Sequence, residues 1–212
     1  KTGNNKTLVI GSRGGIGSAL ISQIKDCDTL NSAQLDLDKP EKIDSQDFSN
    51  YDYIYNATGH SKGTYLGFQK NSFKNIISQI NVNFVSNILL LKKYAEQRND
   101  GTYVWISSDV SDHPRPFHSV YASSKVASRY ALDLIKKEIT HIDVVEVKIG
   151  FTRTNFRYNN FLGTKTHEQI DKSYDTNGKT WATPYLSSMI GRFRISKKPP
   201  SEIRNRPIIK AN

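Results

Sequence analysis

Cysteine is almost absent from this chain, and so are several other features that would define a function class. The single Cys27 forbids an internal disulfide and supplies too little sulfur for a cysteine-based metal site. It reads as a reduced thiol without a role, which suits an intracellular, cytoplasmic protein. No long apolar run exists; stretches such as Ile88-Leu89-Leu90-Leu91 fall far short of a bilayer span, so a soluble protein without a membrane partner is expected. The first residues carry no secretory h-region, and the chain starts at Lys1 rather than at methionine, as a trimmed or incomplete N-terminus would. No internal repeat, no low-complexity tract and no clustered His, Cys and carboxylate spacing stands out, so no metal is expected.

What is present is the composition of a globular domain. The 212 residues suit one domain with a substantial core. The net charge is +10, unevenly spread: residues 1–150 carry 18 Lys and Arg against 16 Asp and Glu, whereas residues 151–212 carry 12 against 4. That asymmetry points either to an anionic partner or to a solvated basic surface. The basic part has no helix-turn-helix, zinc or aromatic-platform signature, which argues against nucleic acid.

Along the chain, short apolar strands alternate with helical stretches. Strands are expected at Thr7–Ile10, weakly at Gln34–Leu37, and at Tyr51–Asn56, Thr102–Ser107 and Asp143–Ile149. Helices are expected at Ile16–Lys25, at Phe73–Gln97 as one long or two abutting helices, and at Tyr121–Ile139. Such alternation predicts an α/β fold with a doubly wound, mainly parallel sheet in a single Rossmann-type domain spanning 1–212. Beyond Gly150 the pattern weakens. A helix near Pro184–Phe193 and a short strand at Pro207–Ile209 are expected, and 151–212 reads as a basic excursion covering a site at the strand ends.

Three constellations carry chemistry. Between the first strand and first helix lie Gly11, Gly15 and Gly17, where bare backbone and a helix start would accept an anion such as pyrophosphate; a tight structural turn is the alternative. Tyr121 and Lys125 stand at i, i+4 on one helical face, so the ammonium lies one turn from the phenol and is expected to lower its pKa toward a useful acid–base range. Ser108 ends the strand Tyr103–Ser108, thirteen residues before Tyr121. Ser107 would point to the opposite face. His113 and His118, in the intervening loop, read as solvated.

The glycine spacing, the Tyr-x-x-x-Lys pair and the Ile-Ser-Ser strand end together resemble the short-chain dehydrogenase/reductase family. Asn56-Ala57-Thr58-Gly59 is similar to that family's Asn-Asn-Ala-Gly stretch, with Ala57 in place of the second Asn. Val82-Asn83 is similar to its relay Asn, with Asn81 one step away as the competing alignment; Gly150 and Thr154 match a segment beside the nicotinamide. Motifs run from residue 8 to 154, and residues 155–212 show none. The resemblance implies an NAD(P)-dependent oxidoreductase acting on a carbonyl or alcohol. Its catalytic residues would be Ser108, Tyr121, Lys125 and Asn83. Gly11, Ser12, Arg13, Gly15, Ile16, Gly17, Asp36, Leu37, Asn56, Ala57, Gly59, Tyr121, Lys125 and Thr154 would line the cofactor, with Asp36 and Leu37 at the adenine.

The interval from Gly17 to Asp36 is short for the family, so the second strand is expected to be compressed into Asp28–Asn31. No acid stands at its end to hold free ribose hydroxyls, and Arg13 is placed to reach a 2′-phosphate; NADP(H) is therefore favoured over NAD(H). Arg153, Arg157, Lys165, Arg192 and Arg194 would favour an anionic small-molecule substrate, and Phe151, Phe156, Tyr158, Phe161 and Trp181 would pack the covering segment. Homo-oligomers through helices such as 82–97 and 121–139 are common in the family. The competing reading is a non-catalytic nucleotide sensor or scaffold of the same fold.

Overall fold

A computed structural model of the chain describes residues 5–24, 26–113, 116–150, 152, 154, 156–159 and 168–169. Strand β1 (Thr7–Ile10) is buried along its whole length, as a central parallel strand covered on both faces must be. It pairs in parallel with β2 (Cys27–Leu30) on one side and β3 (Tyr53–Asn56) on the other. β4 (Thr102–Ser108) follows β3, and β5 (Asp143–Ile149) follows β4, again in parallel. The order of this five-stranded sheet is β2-β1-β3-β4-β5. This is the doubly wound, Rossmann-like arrangement that the alternating pattern predicts.

Period-two alternation sorts the strand residues between two cores. Leu8, Ile10, Ile54, Tyr103 and Trp105 face α3 (Ser86–Gln97) and α4 (Ser119–Glu138), meeting Leu90, Leu91, Tyr94 and Leu132. Val9, Tyr55, Val104, Ile106 and Val147 face the other way, against Leu20 of α1 (Gly15–Ile21). Each such side chain, taken out of water, contributes roughly 1.5–3 kcal/mol before chain entropy is set against it.

The stretch from Phe73 to Gln97 runs without a break but is not uniform. α2 (Phe73–Ile80) passes through a π turn at Asn81–Val85 into α3. A π turn inside an α-helix redirects the side chains it carries, and such turns often mark functional sites.

Two expectations are corrected. Gln34–Leu37 is not a strand. Leu35 and Leu37 are buried, but side chains take the local backbone donors: Asn31 N–H bonds Gln34 Oε1 at 3.0 Å, Ala33 N–H bonds Asn31 Oδ1 at 2.9 Å, and Asp38 N–H bonds Asp36 Oδ1 at 3.2 Å. Such bonds favour turns over a ladder. The second strand is instead β2, one residue from the compressed Asp28–Asn31 reading. The first helix also stops early, at Ile21, where Ser22 Oγ bonds the Ala19 carbonyl at 2.8 Å and the chain turns through Asp26 at φ 59°.

The expected helix at 184–193 and strand at 207–209 lie outside the described residues. So do Phe151, Arg153, Phe161, Lys165, Trp181, Arg192 and Arg194, and the side chain of Arg157. Of the 151–212 segment, α5 (Phe156–Asn159) is the piece that bears on the site.

Candidate active site

The chain leaves β1 toward β2 and returns to β3 on the other side, so the carboxyl ends of β1 and β3 flank a crevice at the point where the strand order reverses. Gly11 leaves β1 at φ +86°, and a Cβ there would sit 3.0 Å from the Ala57 carbonyl group. A Cβ on Gly17 would collide with the Gly11 carbonyl, and one on Gly15 would lie 2.5 Å from Thr154 Cγ2. The glycines therefore let three backbone segments meet. Gly14 caps α1 without a side-chain bond and no acid occupies its first turn, so the helix start is electrostatically open to an anion. Gly11 and Ser12 N–H both bond the Leu30 carbonyl, at 2.8 and 3.1 Å, which lays the turn against the end of β2. Arg13 is exposed at that turn, and Ile16 packs inward against the α1-side core.

The exit of β3 is built by Asn56, which is fully buried. Its Nδ2 donates to Asn87 Oδ1 at 2.9 Å and to the Tyr103 hydroxyl at 2.8 Å; its Oδ1 accepts from Thr58 N–H at 3.1 Å and Thr58 Oγ1 at 2.6 Å. Every polar atom of this side chain is thus committed within the protein, and what β3 offers the crevice is backbone at Ala57 and exposed Gly59. Asn87 and Tyr103 thereby tie the end of β3 to α3 and β4. Neither was singled out from the sequence, although Asn83 and Asn87 stand one helical turn apart.

The π turn aims Asn83 between this loop and α4. Asn83 Oδ1 accepts from His60 N–H at 2.8 Å, and Nδ2 donates to the His60 carbonyl at 2.7 Å and to Ser124 Oγ at 3.0 Å. The Asn83 carbonyl accepts from Ser128 Oγ at 2.6 Å. Asn81 instead bonds the Asp38 carbonyl at 3.2 Å, so Asn83, not its neighbour, faces α4.

Ser108, Tyr121 and Lys125 converge. The Ser108 hydroxyl accepts from Val110 N–H at 3.3 Å and lies near enough to the Tyr121 hydroxyl to act on its pKa. Lys125 is buried, its Nζ 6.0 Å from the Tyr121 ring centroid and 5.2 Å from that of Trp105. Phe156 of α5 lies 5.8 Å from Tyr121 and covers Gly59.

Burial dominates the electrostatics of Tyr121 and Lys125. Burial pushes the Tyr121 phenol up to about 12; the Ser108 hydroxyl pulls it down in part and Asp109 raises it. Burial likewise pulls the Lys125 ammonium down to about 8, opposed by Glu146. Desolvation outweighs mutual attraction here because both groups are cut off from water.

His118 corrects the reading of a solvated loop. It is buried, packs edge-on against Tyr65 at 4.9 Å and lies 6.4 Å from Tyr121, while His113 is exposed. Asp36 bonds its own loop and Lys39 at 3.8 Å; buried Leu37 accepts from Ser86 Oγ at 2.7 Å. Thr154 sits over Gly15. The β4–α4 loop is anchored by Asp112, which receives Lys148 Nζ at 2.8 and 3.0 Å and also pairs with Arg129. Beside Tyr121 a small open recess is lined by Thr64, Asn71, Gln79 and Phe117, and the Oδ1 of Asn71 and Oε1 of buried Gln79 have no hydrogen-bond partner. Among the described residues no three His, Cys, Asp or Glu side chains group as metal ligands, and no helix is long and apolar enough to cross a membrane.

A family model for short chain dehydrogenase matches residues 6–164. Comparison with curated proteins gives no match. Among solved structures, a small-chain dehydrogenase in complex with NADPH is similar at TM-score 0.72 and 16% identity, over 93% of this chain and 94% of that one. A serine dehydrogenase complexed with NADP+ is similar at TM-score 0.73 and 17% identity, over 92% and 90%. A short chain dehydrogenase from Burkholderia cenocepacia J2315 in complex with NADP is similar at TM-score 0.64 and 21% identity, over 80% and 81%.

Proposed function

The chain belongs to the short chain dehydrogenase family, and from that premise we propose that it is an NAD(P)-dependent oxidoreductase moving a hydride between nicotinamide and the carbon of a carbonyl or alcohol. The observation that carries this reading is the convergence of Ser108 and buried Tyr121, with buried Lys125 one turn on and its Nζ 6.0 Å from the Tyr121 ring. A sensor or scaffold has no need of that trio in one cluster at the crevice.

The crevice fits a dinucleotide. The bare turn at Gly11, Ser12, Gly15, Ile16 and Gly17 is suited to the pyrophosphate. Asp36 and Leu37 are assigned to the adenine; Ala57 and Gly59, on the turn held by Asn56, to the ribose side; and Thr154 to the nicotinamide end. Arg13, exposed where the turn meets β2, favours a 2′-phosphate and hence NADP(H). When bound, the nicotinamide supplies or takes the hydride.

The remaining steps fall to the protein's own groups. Tyr121 gives or takes the proton at the substrate oxygen, and its raised pKa keeps the phenol protonated in the free protein. Ser108 donates to the same oxygen as negative charge develops there. Lys125 holds positive charge beside the phenol and reaches the ribose hydroxyls. The Asn83 carbonyl, already accepting from Ser128, keeps a second lone pair for a relay water.

The substrate is proposed to be a small carbonyl or alcohol compound, anionic if Arg153 and Arg157 face it. Neutralising both without loss of turnover would count against the anion. Exposed Phe73 and Ile77 on α2, with Val126, Tyr130 and Leu134 on α4, support a homo-oligomer, which light scattering would measure.

The first test is titration with NADPH and NADH, followed by nicotinamide fluorescence beside a Gly15→Asp variant. Binding lost in that variant supports the reading, and a preference for NADPH supports Arg13. A folded protein that binds neither nucleotide would sink it.

A further inference from the structure

Strand β5 places a carboxylate within a largely buried sheet. Glu146 stands directly opposite Trp105 in the parallel register of β4 and β5, so both side chains leave the sheet on the face that carries α4. One carboxylate oxygen, Glu146 Oε1, is buried without a hydrogen-bond partner. Such an oxygen is costly unless a charge nearby compensates it.

Lys125 descends from α4 to the same layer. Its side chain is buried, and its Nζ lies 5.2 Å from the centre of the Trp105 ring, whose strand neighbour is Glu146. With adjacent strands about 4.8 Å apart, Trp105 and Glu146 stand side by side on the sheet face that Lys125 Nζ reaches. Tyr121 on its own helix and, across the mouth, Gly59 also lie close to Lys125. Lys148, two residues along β5 on the Glu146 side, is taken by Asp112, which also pairs with Arg129; Asp109 acts on Tyr121. Among the described residues, Glu146 is the carboxylate that acts on Lys125.

We propose that Glu146 is a positioning residue that keeps Lys125 an ammonium at neutral pH through the layer it shares with Trp105. This rests on the reading above, in which a charged Lys125 serves Tyr121 and the ribose. Burial alone pulls the ammonium down, and Glu146 is the group that pushes back. The carboxylate acts through Lys125.

The test needs neither cofactor nor substrate. Protein labelled with 13Cε-lysine is titrated by NMR from pH 6 to 10, with the buried signal assigned by Lys125→Met. A midpoint near 8 is expected in the wild type. In Glu146→Gln it falls by about one pH unit, the change expected on losing a unit charge at this range. Glu146→Asp, which keeps the charge, restores most of it. Glu146→Leu provides a second neutral variant that discards the unpartnered oxygen and is expected to fold at least as well, with the same downward shift. A midpoint unmoved in either neutral variant overturns the proposal. Because no nucleotide is present, failure of NADPH to bind would sink the enzymatic reading while leaving this result to stand or fall separately.

Discussion

Asn83 holds His60 by both of its main-chain groups, accepting from the His60 N–H at 2.8 Å and donating to the His60 carbonyl at 2.7 Å. One buried amide from the π turn thus fixes the loop that leaves β3, and a third bond to Ser124 ties that loop to α4. Asn83→Leu removes these bonds and leaves two backbone groups unanswered. We expect a loss of roughly 2–4 kcal/mol, read by urea unfolding. Asn83→Asp keeps the acceptor half and should lose less. Equal stability of the Leu variant and the wild type would contradict the clamp.

Tyr121→Phe removes the phenol and leaves its ring packed against Phe156 and His118. Turnover on a reducible carbonyl should fall by about 10²–10⁴, with the thermal midpoint nearly unchanged. Ser108→Ala should cost about 10²–10³ and weaken the brake on the Tyr121 pKa, shifting the alkaline limb of the rate profile upward. Undiminished turnover in Tyr121→Phe would remove it from the mechanism.

Lys125 and Tyr121 should leave opposite marks on stability against pH. The Lys125 pKa is lowered to about 8 by burial, from an ordinary value of 10.5. The unfolded chain binds the extra proton between those values, so this group makes stability rise with pH from about 8 to 10.5. Tyr121 is raised to about 12, so its contribution is complete below pH 10 and is lost between 10 and 12. Lys125→Met should stabilise the protein at pH 7 by a few kcal/mol at most while abolishing turnover, and it should flatten the slope between pH 8 and 10.5 in chemical denaturation. An unchanged slope would show that the ammonium is not held against burial.

Asp112 secures the loop between Ser108 and Tyr121 by binding buried Lys148. Asp112→Ala strands that ammonium, and we expect a loss of about 2 kcal/mol, less than for a fully buried pair because the carboxylate is partly exposed. The Lys148 hydrogen bond, more than Arg129, holds the Asp112 carboxyl below its ordinary pKa. Its contribution is therefore present above about pH 4 and lost as pH falls through the lowered folded value. Wild type and variant should converge in stability near pH 2; a gap that persists there would mean the loss is one of packing rather than charge.

Much of this architecture was legible in advance because it rests on local patterns. Thr7–Ile10 and Asp143–Ile149 read as strands from their apolar, β-branched runs, and the structure keeps those bounds. Tyr121 and Lys125 were legible because helical spacing alone puts them on one face. Gln34–Leu37 misled for a related reason: its alternating leucines are buried as in a strand, yet neighbouring Asn, Gln and Asp side chains take the backbone donors. Apolar alternation reports burial, not hydrogen-bond partners.

The sequence by itself determined the strand–helix alternation, the bare glycine turn and the spacing of Ser108, Tyr121 and Lys125, since each depends on residues within a few turns of one another. Only the tertiary structure decided the surroundings of that trio. His118 became buried because Tyr65 packs against it, Asn56 was committed to Asn87 and Tyr103, and Glu146 came beside Trp105 through the β4–β5 register. These partners lie 31 to 53 residues apart in the chain, and no local periodicity encodes which of them meet. The desolvation that raises one pKa and lowers the other likewise exists only once the chain has closed around both groups.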